Sequence, residues 1–313
     1  MAKLLFLGDV KLKDGPVRVG EKLRKIASDA DCVVANLEGP STQQAEPRPD
    51  KRGVALKNGR AIDQFVDDME INVLLLGNNH IYDFGEEGLL DALKFCRNKN
   101  IAWAGAKSKS HDGSDVVRLE VDKIAIFSYA HQEGPVSKRP NSGFGPFATP
   151  KLEDLTNEVK KLKSLGYLVI VVYHGGEEYF NFPWPRRMGW SKSLIDAGAN
   201  FIIGTHSHSI QPVYQIAPGH YIAAGLGNTY FDDPCQSTNI HAKDSIALEY
   251  DTDIGQLIIY RIKADFENSE IEIVEQVLQT TPFSVLDEHI RSNWPIESRR
   301  YVTGSLNRRP KKG

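Results

Sequence analysis

The chain has 313 residues, of which 41% are hydrophobic and 25% are charged, a composition typical of a globular protein with a sizeable core. Its formal net charge of -3 provides no overall attraction to nucleic acid, and no run approaches the roughly 20 apolar residues of a membrane span. We therefore expect a cytoplasmic protein without a nucleic-acid partner, and its 3 cysteines, which form no C-x-x-C pair, indicate neither a disulfide framework nor a thiolate zinc site.

Up to about residue 240, short apolar runs alternate with segments of helical periodicity, which predicts a layered α/β fold. In chain order the pattern predicts strand 4–7, helix 20–29, strand 32–35, helix 61–70, strand 73–76, helix 87–99, strand 101–104, a hairpin of 116–121 with 124–129, helix 151–164, strand 168–172, helix 188–197, strand 201–203 and strand 221–224.

The last third of the chain is richer in strand-like runs, at residues 245–250, 256–262 and 271–278, and these resemble an antiparallel extension of a sheet. No internal repeat or long low-complexity linker occurs. We therefore predict a single domain over residues 1–285, with the β-rich extension from about residue 242, followed by a basic tail at 286–313. Residues 40–59 form a long loop in which we expect substrate contacts.

Five of the predicted strands are followed directly by polar side chains that can bind a metal. Because the carboxyl ends of parallel strands share one edge of a sheet, these side chains are expected to converge there. Imidazole, carboxylate and amide groups without thiolates suit Mn, Fe or Zn, and the set is large enough for one or two divalent ions. The residues concerned are Asp9, Asn36, Glu38, Asn79, His80, His174, His206 and His208.

Seven short motifs occur in the order found in the CapA-type family of capsule and poly-γ-glutamate synthesis proteins, and the chain resembles that family over roughly residues 3–233. The family is similar to the calcineurin-like metallophosphoesterases. The motifs are Gly8-Asp9-Val10, Asn36-Leu37-Glu38-Gly39-Pro40, Asn78-Asn79-His80, His174-Gly175-Gly176-Glu177-Glu178-Tyr179, Asp196-Ala197-Gly198-Ala199, Gly204-Thr205-His206-Ser207-His208 and Gly225-Leu226-Gly227-Asn228.

The resemblance implies a four-layer α/β/β/α sandwich with a metal site at the top edge of its sheets. It implies that Asp9 and His208 bind a first ion, and that Glu38 bridges to a second. The remaining ligands of the second ion would be Asn79, His174 and His206. His80 would lie near the leaving group or the attacking water as a general acid or electrophile, so the catalytic set comprises His80, Asp9 and Glu38.

Two residues depart from the pattern of the wider superfamily. Lys11 stands where the first motif usually has a histidine ligand, and Glu38 stands where the bridging residue is usually an aspartate. Further substrate contacts are predicted at Asn36, Glu178, Arg186, Arg187 and Asn228. Glu178 either orients His174 or is solvated, while the two arginines either hold a phosphate or carboxylate or begin a helix.

Three functions fit these residues. The first is metal-dependent hydrolysis of a phosphoester in an anionic cell-surface glycan or its precursor, with a metal-activated water as nucleophile. The second is a non-catalytic accessory role in capsule or poly-γ-glutamate synthesis, which Lys11 in the first motif favours. The third is hydrolysis or transfer at an amide of γ-linked polyglutamate, whose carboxylates Arg186 and Arg187 would bind.

Overall fold

The computed structural model describes residues 2–110, 112–131, 144–233, 240–277 and 280–282. The predicted basic tail at 286–313 lies outside this part of the chain. The first elements are β1 (Lys3–Lys11), β2 (Arg18–Val19), α1 (Glu21–Ser28), β3 (Cys32–Leu37), α2 (Ala61–Asp68), β4 (Ile71–Leu75), α3 (Gly85–Asn98), β5 (Ala102–Ala104) and β6 (Ala106–Lys107).

A second group of elements follows the same alternation, and a β-rich segment closes the described chain. The second group is β7 (Val116–Leu119), β8 (Ile124–Ala130), β9 (Gly145–Pro146), α4 (Leu152–Ser164), β10 (Leu168–His174), α5 (Pro185–Asp196), β11 (Phe201–Thr205), β12 (Ile210–Ala217), β13 (His220–Leu226) and β14 (Asn228–Phe231). The last group is a 3₁₀ helix (Ile240–Lys243), β15 (Asp244–Asp251), β16 (Gln256–Asp265), β17 (Glu270–Val277) and β18 (Thr281–Pro282).

The strands form a 9-stranded and a 7-stranded sheet, with a separate pair of β6 and β9. The larger sheet has the order β2-β17-β16-β15-β1-β3-β4-β5, and β14 also pairs with β1. The smaller sheet has the order β18-β12-β13-β11-β10-β8-β7. The antiparallel extension predicted for the last third is present as β15, β16 and β17. β15 pairs antiparallel with β1, and β16 and β17 follow it in antiparallel order in the larger sheet.

Alternate side chains of β1 pack into two different hydrophobic clusters, one on each face of the larger sheet. Leu5 and Leu7 face a cluster that includes Leu23 of α1 and Phe65 of α2, so the first three helices cover the outer face of the larger sheet. Leu4 and Phe6 face the other way, into a cluster between the two sheets. The rings of Phe6 and Phe201, from opposite sheets, lie 5.8 Å apart between centroids.

The smaller sheet repeats this arrangement on its own outer face. Ile170 and Val172 of β10 point into the cluster between the sheets. Val169 and Val171 point outward into a cluster that contains Leu155 of α4, together with residues of α5. The layer order is therefore helices, sheet, sheet, helices, which confirms the predicted four-layer α/β/β/α sandwich. Among the residues that the structure describes, no helix combines the length and apolar character needed to cross a membrane.

The chain crosses from the smaller sheet to the larger one between β13 and β14. Gly227 lies at this crossing with φ of +76°. Because it has no side chain, its backbone can approach β1 closely. Its carbonyl oxygen lies 2.0 Å from the place where a Cβ on Gly8 would stand. Gly8 immediately precedes Asp9, whose backbone N–H donates to the same carbonyl over 3.1 Å. Two glycines thus permit the close approach that fixes the end of β1.

We expect Gly8→Ala to destabilise the protein by about 1–3 kcal/mol, because the added methyl group overlaps backbone atoms that cannot rotate away. The same change displaces Asp9 and weakens metal binding. Gly15→Ala is the matched control, because a Cβ on Gly15 meets no atom within 4 Å. Denaturant unfolding of the three proteins checks the expectation, and equal stability of the Gly8 variant and the parent would contradict it.

Candidate metal centre

The candidate site lies where strand ends from both sheets meet. In the larger sheet the parallel register of β1 and β3 places Asp9 opposite Asn36. In the smaller sheet the parallel register of β10 and β11 places His174 opposite Thr205. Asp9, Asn36 and His174 belong to the last residues of their strands rather than to the turns after them, because the ladders continue past the apolar runs. Their backbones are consequently held within the sheets, although the register of β1 shifts on both sides of Asp9.

His174 is the centre of one group of ligand atoms, here called the His174 cluster (Glu38, Asn79, His174 and His206). Its Nε2 atom lies 2.7 Å from Asn79 Oδ1, 3.2 Å from His206 Nδ1 and 3.8 Å from Glu38 Oε1. On the other side of the ring, Nδ1 lies 3.0 Å from Thr205 Oγ1. The structure therefore brings together the four residues that the family resemblance implies around the second ion.

Asp9, Glu38 and His208 form the Asp9 cluster, in which one ligand atom from each residue lies within 4.8 Å of the others. Asp9 Oδ1 accepts a hydrogen bond from Asn36 Nδ2 at 2.7 Å, and Oδ2 accepts one from the backbone N–H of His206 at 2.8 Å. His206 adopts a φ of 83°, a left-handed conformation that is costly for this residue type. That strain is held by the surrounding turn and directs the amide toward Asp9.

Glu38 belongs to both clusters and is the least satisfied group in the site. Its side chain is fully buried, and neither carboxylate oxygen has a hydrogen-bond partner among the described residues. Burial, and next the negative charge of Asp9, raise its pKa well above the usual value for a glutamate. A buried carboxylate without donors is costly unless a cation neutralises it. The donor set and the two orphaned oxygens thus fit a divalent metal between the clusters.

The histidines of the His174 cluster are prepared for metal binding by their surroundings. Burial, and then the neighbouring imidazoles His206 and His208, lower the pKa of His174 well below its usual value. Burial followed by the charge of His208 does the same to the pKa of His206. Both rings are therefore neutral near neutral pH, and a neutral imidazole is the form that binds a metal.

Lys11 stands where the family resemblance led us to expect a histidine ligand, and its side chain turns toward the end of β14. Its Nζ atom donates to the backbone carbonyl of Asp232 at 2.5 Å and lies 3.9 Å from Asp233 Oδ2. The side chain is buried, and burial lowers its pKa. Lys11 therefore adds a nearby positive charge to the Asp9 cluster and no ligand, which disfavours a second cation there.

We expect Lys11→His to raise the metal content from about one ion per chain toward two, because the change replaces a cation with a ligand. Native mass spectrometry with elemental analysis after Mn loading checks this stoichiometry. Lys13→His is the matched control, since Lys13 contacts the same Asp232 from a side chain that is 49% exposed. A Lys11 variant that binds no more metal than the control would contradict this interpretation of the Asp9 cluster.

His80 lies at the rim of the His174 cluster and forms a pair with Asp83. Its Nδ1 is 2.6 Å from Asp83 Oδ2, so it donates its proton to that carboxylate, while Nε2 lies 3.9 Å from Glu38 Oε1. Asp83 and Lys51, whose ammonium contacts Asp83, are site residues that the sequence analysis did not identify. The signal for Asp83 was present as an acidic residue three positions after His80. The only sequence signal for Lys51 was its place in the long loop at 40–59, where substrate contacts were expected.

Several predicted substrate contacts lie deeper than expected. Asn36 is buried, and its Nδ2 donates to Asp9 while lying 3.3 Å from His174 Nδ1, so it positions two ligands. Asn228 is also buried, with Oδ1 2.8 Å from His208 Nδ1. The two amides therefore contact the candidate ligands Asp9 and His208. Glu178 is partly exposed, and its carboxylate lies 4.0 Å from His206 Nε2, so it approaches His206 rather than His174 as predicted.

The two predicted arginines have different surroundings. Arg187 is buried, donates to the carbonyl of Gly175 at 2.6 Å and lies 4.5 Å from the ring centroid of Tyr173. It thereby supports the turn that follows His174. Arg186 is exposed at the first turn of α5, and both arginines line an open cavity of about 580 Å³ whose wall includes His131 and Trp190. Among the described residues, the lining includes Tyr173, the residue before His174, but no member of the His174 or Asp9 cluster.

Comparison with known proteins shows the family to which the chain belongs. The chain is 26% identical over 259 residues to the PGA biosynthesis protein CapA of Bacillus subtilis strain 168, covering 78% of this chain and 66% of that protein. It is 28% identical over 229 residues to the capsule biosynthesis protein CapA of Bacillus anthracis, covering 71% of this chain and 54% of that protein. The chain thus spans between about half and two thirds of the length of these relatives.

Among solved structures, the chain is similar to the NAD nucleotidase of Haemophilus influenzae, with 13% sequence identity and a TM-score of 0.46. The alignment covers 89% of this chain and 60% of that one. The family described as bacterial capsule synthesis protein PGA_cap matches residues 3–233, which include every residue of the His174 and Asp9 clusters. The chain therefore belongs to the PGA_cap family of bacterial capsule synthesis proteins.

Proposed function

We propose that this protein is a metal-dependent hydrolase that cleaves a phosphoester in an anionic cell-surface polymer or its precursor. The proposal rests on the environment of the Glu38 side chain. Its buried carboxylate has no hydrogen-bond donor among the described residues and lies between two groups of ligand atoms, with His80 Nε2 at 3.9 Å. A buried charge of this kind is retained at a cost to stability, which is typical of functional sites.

The side chains have separate roles in this reaction. A divalent cation held by Glu38, Asn79, His174 and His206 would supply the Lewis-acid chemistry that activates water near neutral pH, and Asp9 with His208 would hold a second, weaker cation beside Glu38. Asn36 and Asn228 hold Asp9 and His208 in their binding orientations. His80 donates its Nδ1 proton to Asp83, so the ring acts as the imidazolium: the second proton, on Nε2, passes to the leaving-group oxygen, and neutral Nδ1–H imidazole remains.

The substrate class follows from charge and from the relatives. The names of two similar proteins refer to capsule and PGA biosynthesis, which supports an anionic polymer precursor as substrate. The exposed Arg186 lines the cavity of about 580 Å³ and offers a planar guanidinium to a phosphate or carboxylate. Arg187 holds the Gly175 turn, and after burial and the neighbouring imidazoles its positive charge is a further cause that lowers the pKa values of His174 and His206.

Two other functions each have one supporting observation. Amide cleavage in γ-linked polyglutamate is favoured by the PGA biosynthesis role of a similar protein together with the arginines at the cavity. A non-catalytic accessory role is favoured by Lys11, which replaces a ligand of the Asp9 cluster with a buried ammonium. The orphaned Glu38 argues for the hydrolase, because an inactive scaffold gains nothing from a buried and unpaired carboxylate.

A direct assay separates these functions. The purified chain, loaded in turn with Mn, Fe(II) and Zn, is incubated with a nitrophenyl phosphate monoester, a nitrophenyl phosphodiester and poly-γ-glutamate. We expect metal-dependent turnover of a phosphoester that a chelator abolishes. Turnover of poly-γ-glutamate alone would favour the amide hydrolase. Metal binding without turnover, combined with co-purification with a membrane synthase, would favour the accessory role.

A further inference from the structure

We propose that Lys51 is a positioning residue for the proton donor His80, and that the loop at 40–59 is thereby a working part of the centre. Lys51 acts through Asp83, whose carboxylate it holds in the orientation that fixes the imidazole. The inference deepens the proposed function and rests on it, since it assigns a task to the proton donor of that reaction. It gives the long loop a role at the centre itself.

The ion pair between Lys51 and Asp83 is buried. Lys51 Nζ lies 2.5 Å from Asp83 Oδ1, and the exposed fractions of the two side chains are 4% and 2%. The same ammonium lies 3.5 Å from His80 Nδ1. A buried pair contributes little net stability compared with apolar side chains of similar size, whereas removal of one partner leaves a costly unpaired charge. Retention of such a pair beside a candidate proton donor therefore points to a positioning role.

Asp83 is held from several directions by the segment that carries Lys51. Its Oδ2 accepts a hydrogen bond from the backbone N–H of Leu56 at 2.9 Å, in addition to the bond from His80. Its main-chain carbonyl accepts a bond from the N–H of Arg48 at 2.9 Å. Residues 48–56 thus wrap around Asp83, and Lys51 contacts the carboxylate oxygen that His80 and Leu56 leave open.

The ends of the loop are fixed independently of Lys51. Asn58 donates its side-chain amide to the carbonyls of Glu38 and Gly39, at 3.1 Å and 3.0 Å, and its backbone N–H to Pro40 at 2.8 Å. The loop therefore stays attached next to Glu38 when its middle is released. A change at Lys51 is expected to loosen residues 48–56 and the carboxylate of Asp83 without unfolding the strand ends that carry the metal ligands.

The first test uses leaving groups of different basicity. A nitrophenolate leaves readily without a proton, whereas an alkoxide needs one, and general acids contribute typically about 10²–10⁴-fold. We expect Lys51→Met to reduce kcat about 100-fold on an alkyl phosphate and only a few-fold on a nitrophenyl phosphate, with little change in KM. Lys51→Arg, which keeps the charge, should restore most of the lost rate on the alkyl phosphate.

Two comparisons make this test specific. Lys57→Met is the matched control, because Lys57 belongs to the same loop but donates to Gln44 and packs over Phe84. In a His80→Asn background, Lys51→Met should cause no further loss on the alkyl phosphate, because both changes act through the same proton. Equal losses on both substrates, a matching loss in the Lys57 variant, or full additivity with His80→Asn would overturn the proposal.

The second test needs no turnover and uses the metal-free protein. We expect Lys51→Met to speed hydrogen exchange of the Arg48 and Leu56 amides about tenfold or more, and to shift the nitrogen resonance of His80 Nδ1, the atom that contacts Asp83. Unchanged exchange and an unchanged Nδ1 resonance of His80 would overturn the proposal even if no phosphoester is cleaved. If the parent has no activity while these signals shift as expected, the proposed reaction fails and the positioning contact stands.

Discussion

Glu38→Gln is expected to make the metal-free protein more stable and to abolish its metal-dependent activity. Glutamine has nearly the same shape and carries no charge, so it removes the penalty of a buried carboxylate whose oxygens have no hydrogen-bond partner in the described chain. We expect a gain on the order of 1 kcal/mol in the free energy of unfolding near pH 8, measured by denaturant titration with a chelator present.

The pH dependence of this gain has a defined sign. The folded-state pKa of Glu38 is raised above its unfolded value of about 4.5, so the stability associated with this group is fully present below pH 4.5. In the parent that stability is lost as the pH rises through the folded-state pKa. The difference between variant and parent should therefore be small at pH 4 and grow with pH. Burial also raises the pKa of Asp9 in the parent, and removal of the Glu38 charge relieves the repulsion between the two carboxylates, which adds to the gain at high pH.

Metal should reverse the order of stability. A ligand that binds only the folded state adds about 2.7 kcal/mol at a concentration of 100 times its Kd. We expect this gain in the parent and little of it in the Glu38 variant, together with a loss of activity on the order of 10³-fold. Glu249→Gln is the control, because this buried carboxylate accepts a hydrogen bond from Tyr260 and lies away from the metal centre. A Glu38 variant that is destabilised without metal and still binds it would contradict the account.

His206→Ala is expected to cause the second large effect. It removes a nitrogen that lies 3.2 Å from His174 Nε2, at the centre of the His174 cluster. We expect metal affinity to fall by at least about 100-fold and turnover by on the order of 10³-fold. His208→Ala should cost less, because His208 belongs to the Asp9 cluster, where the ammonium of Lys11 disfavours a cation.

The control for both histidine variants is His220→Ala. His220 begins β13 at the opposite end of the sheet, where its Nδ1 lies 2.8 Å from the carbonyl of Ala199. This change should leave metal content and turnover at parental levels. Calorimetric metal titration and steady-state kinetics measure the effects. A His206 variant that matches the parent in both measurements would remove the basis for the His174 cluster as a metal site.

The layers and the location of the site were predictable because they follow from local periodicity. Leu4 and Phe6 alternate with Leu5 and Leu7, and this pattern of period two already assigns β1 to two cores. The polar residues at the strand ends were also predictable, since parallel strands place their ends at one edge. The structure brings Asp9, Glu38, His174, His206 and His208 together as this argument requires.

The contacts made by loops were not predictable. Asp83 and Lys51 meet only because residues 48–56 fold back through bonds from Leu56 and Arg48, which no sequence period encodes. The sequence also did not indicate which polar side chains the packing of neighbouring layers would bury. Asn36 and Asn228 were predicted to contact substrate, but the sheet packing places them behind the ligands. The four-residue β14 is too short for a periodic signal and forms because Gly227 lets the chain approach β1.

The central claim is that Glu38 and the His174 cluster hold a divalent cation. Crystals grown with Mn and measured at the manganese absorption edge give an anomalous map that tests it directly. We expect a peak roughly 2.0–2.5 Å from Glu38, His174 and His206, with a weaker peak or none at Asp9 and His208. Full occupancy at another position with no peak between these residues, or no peak at saturating Mn, would contradict the account.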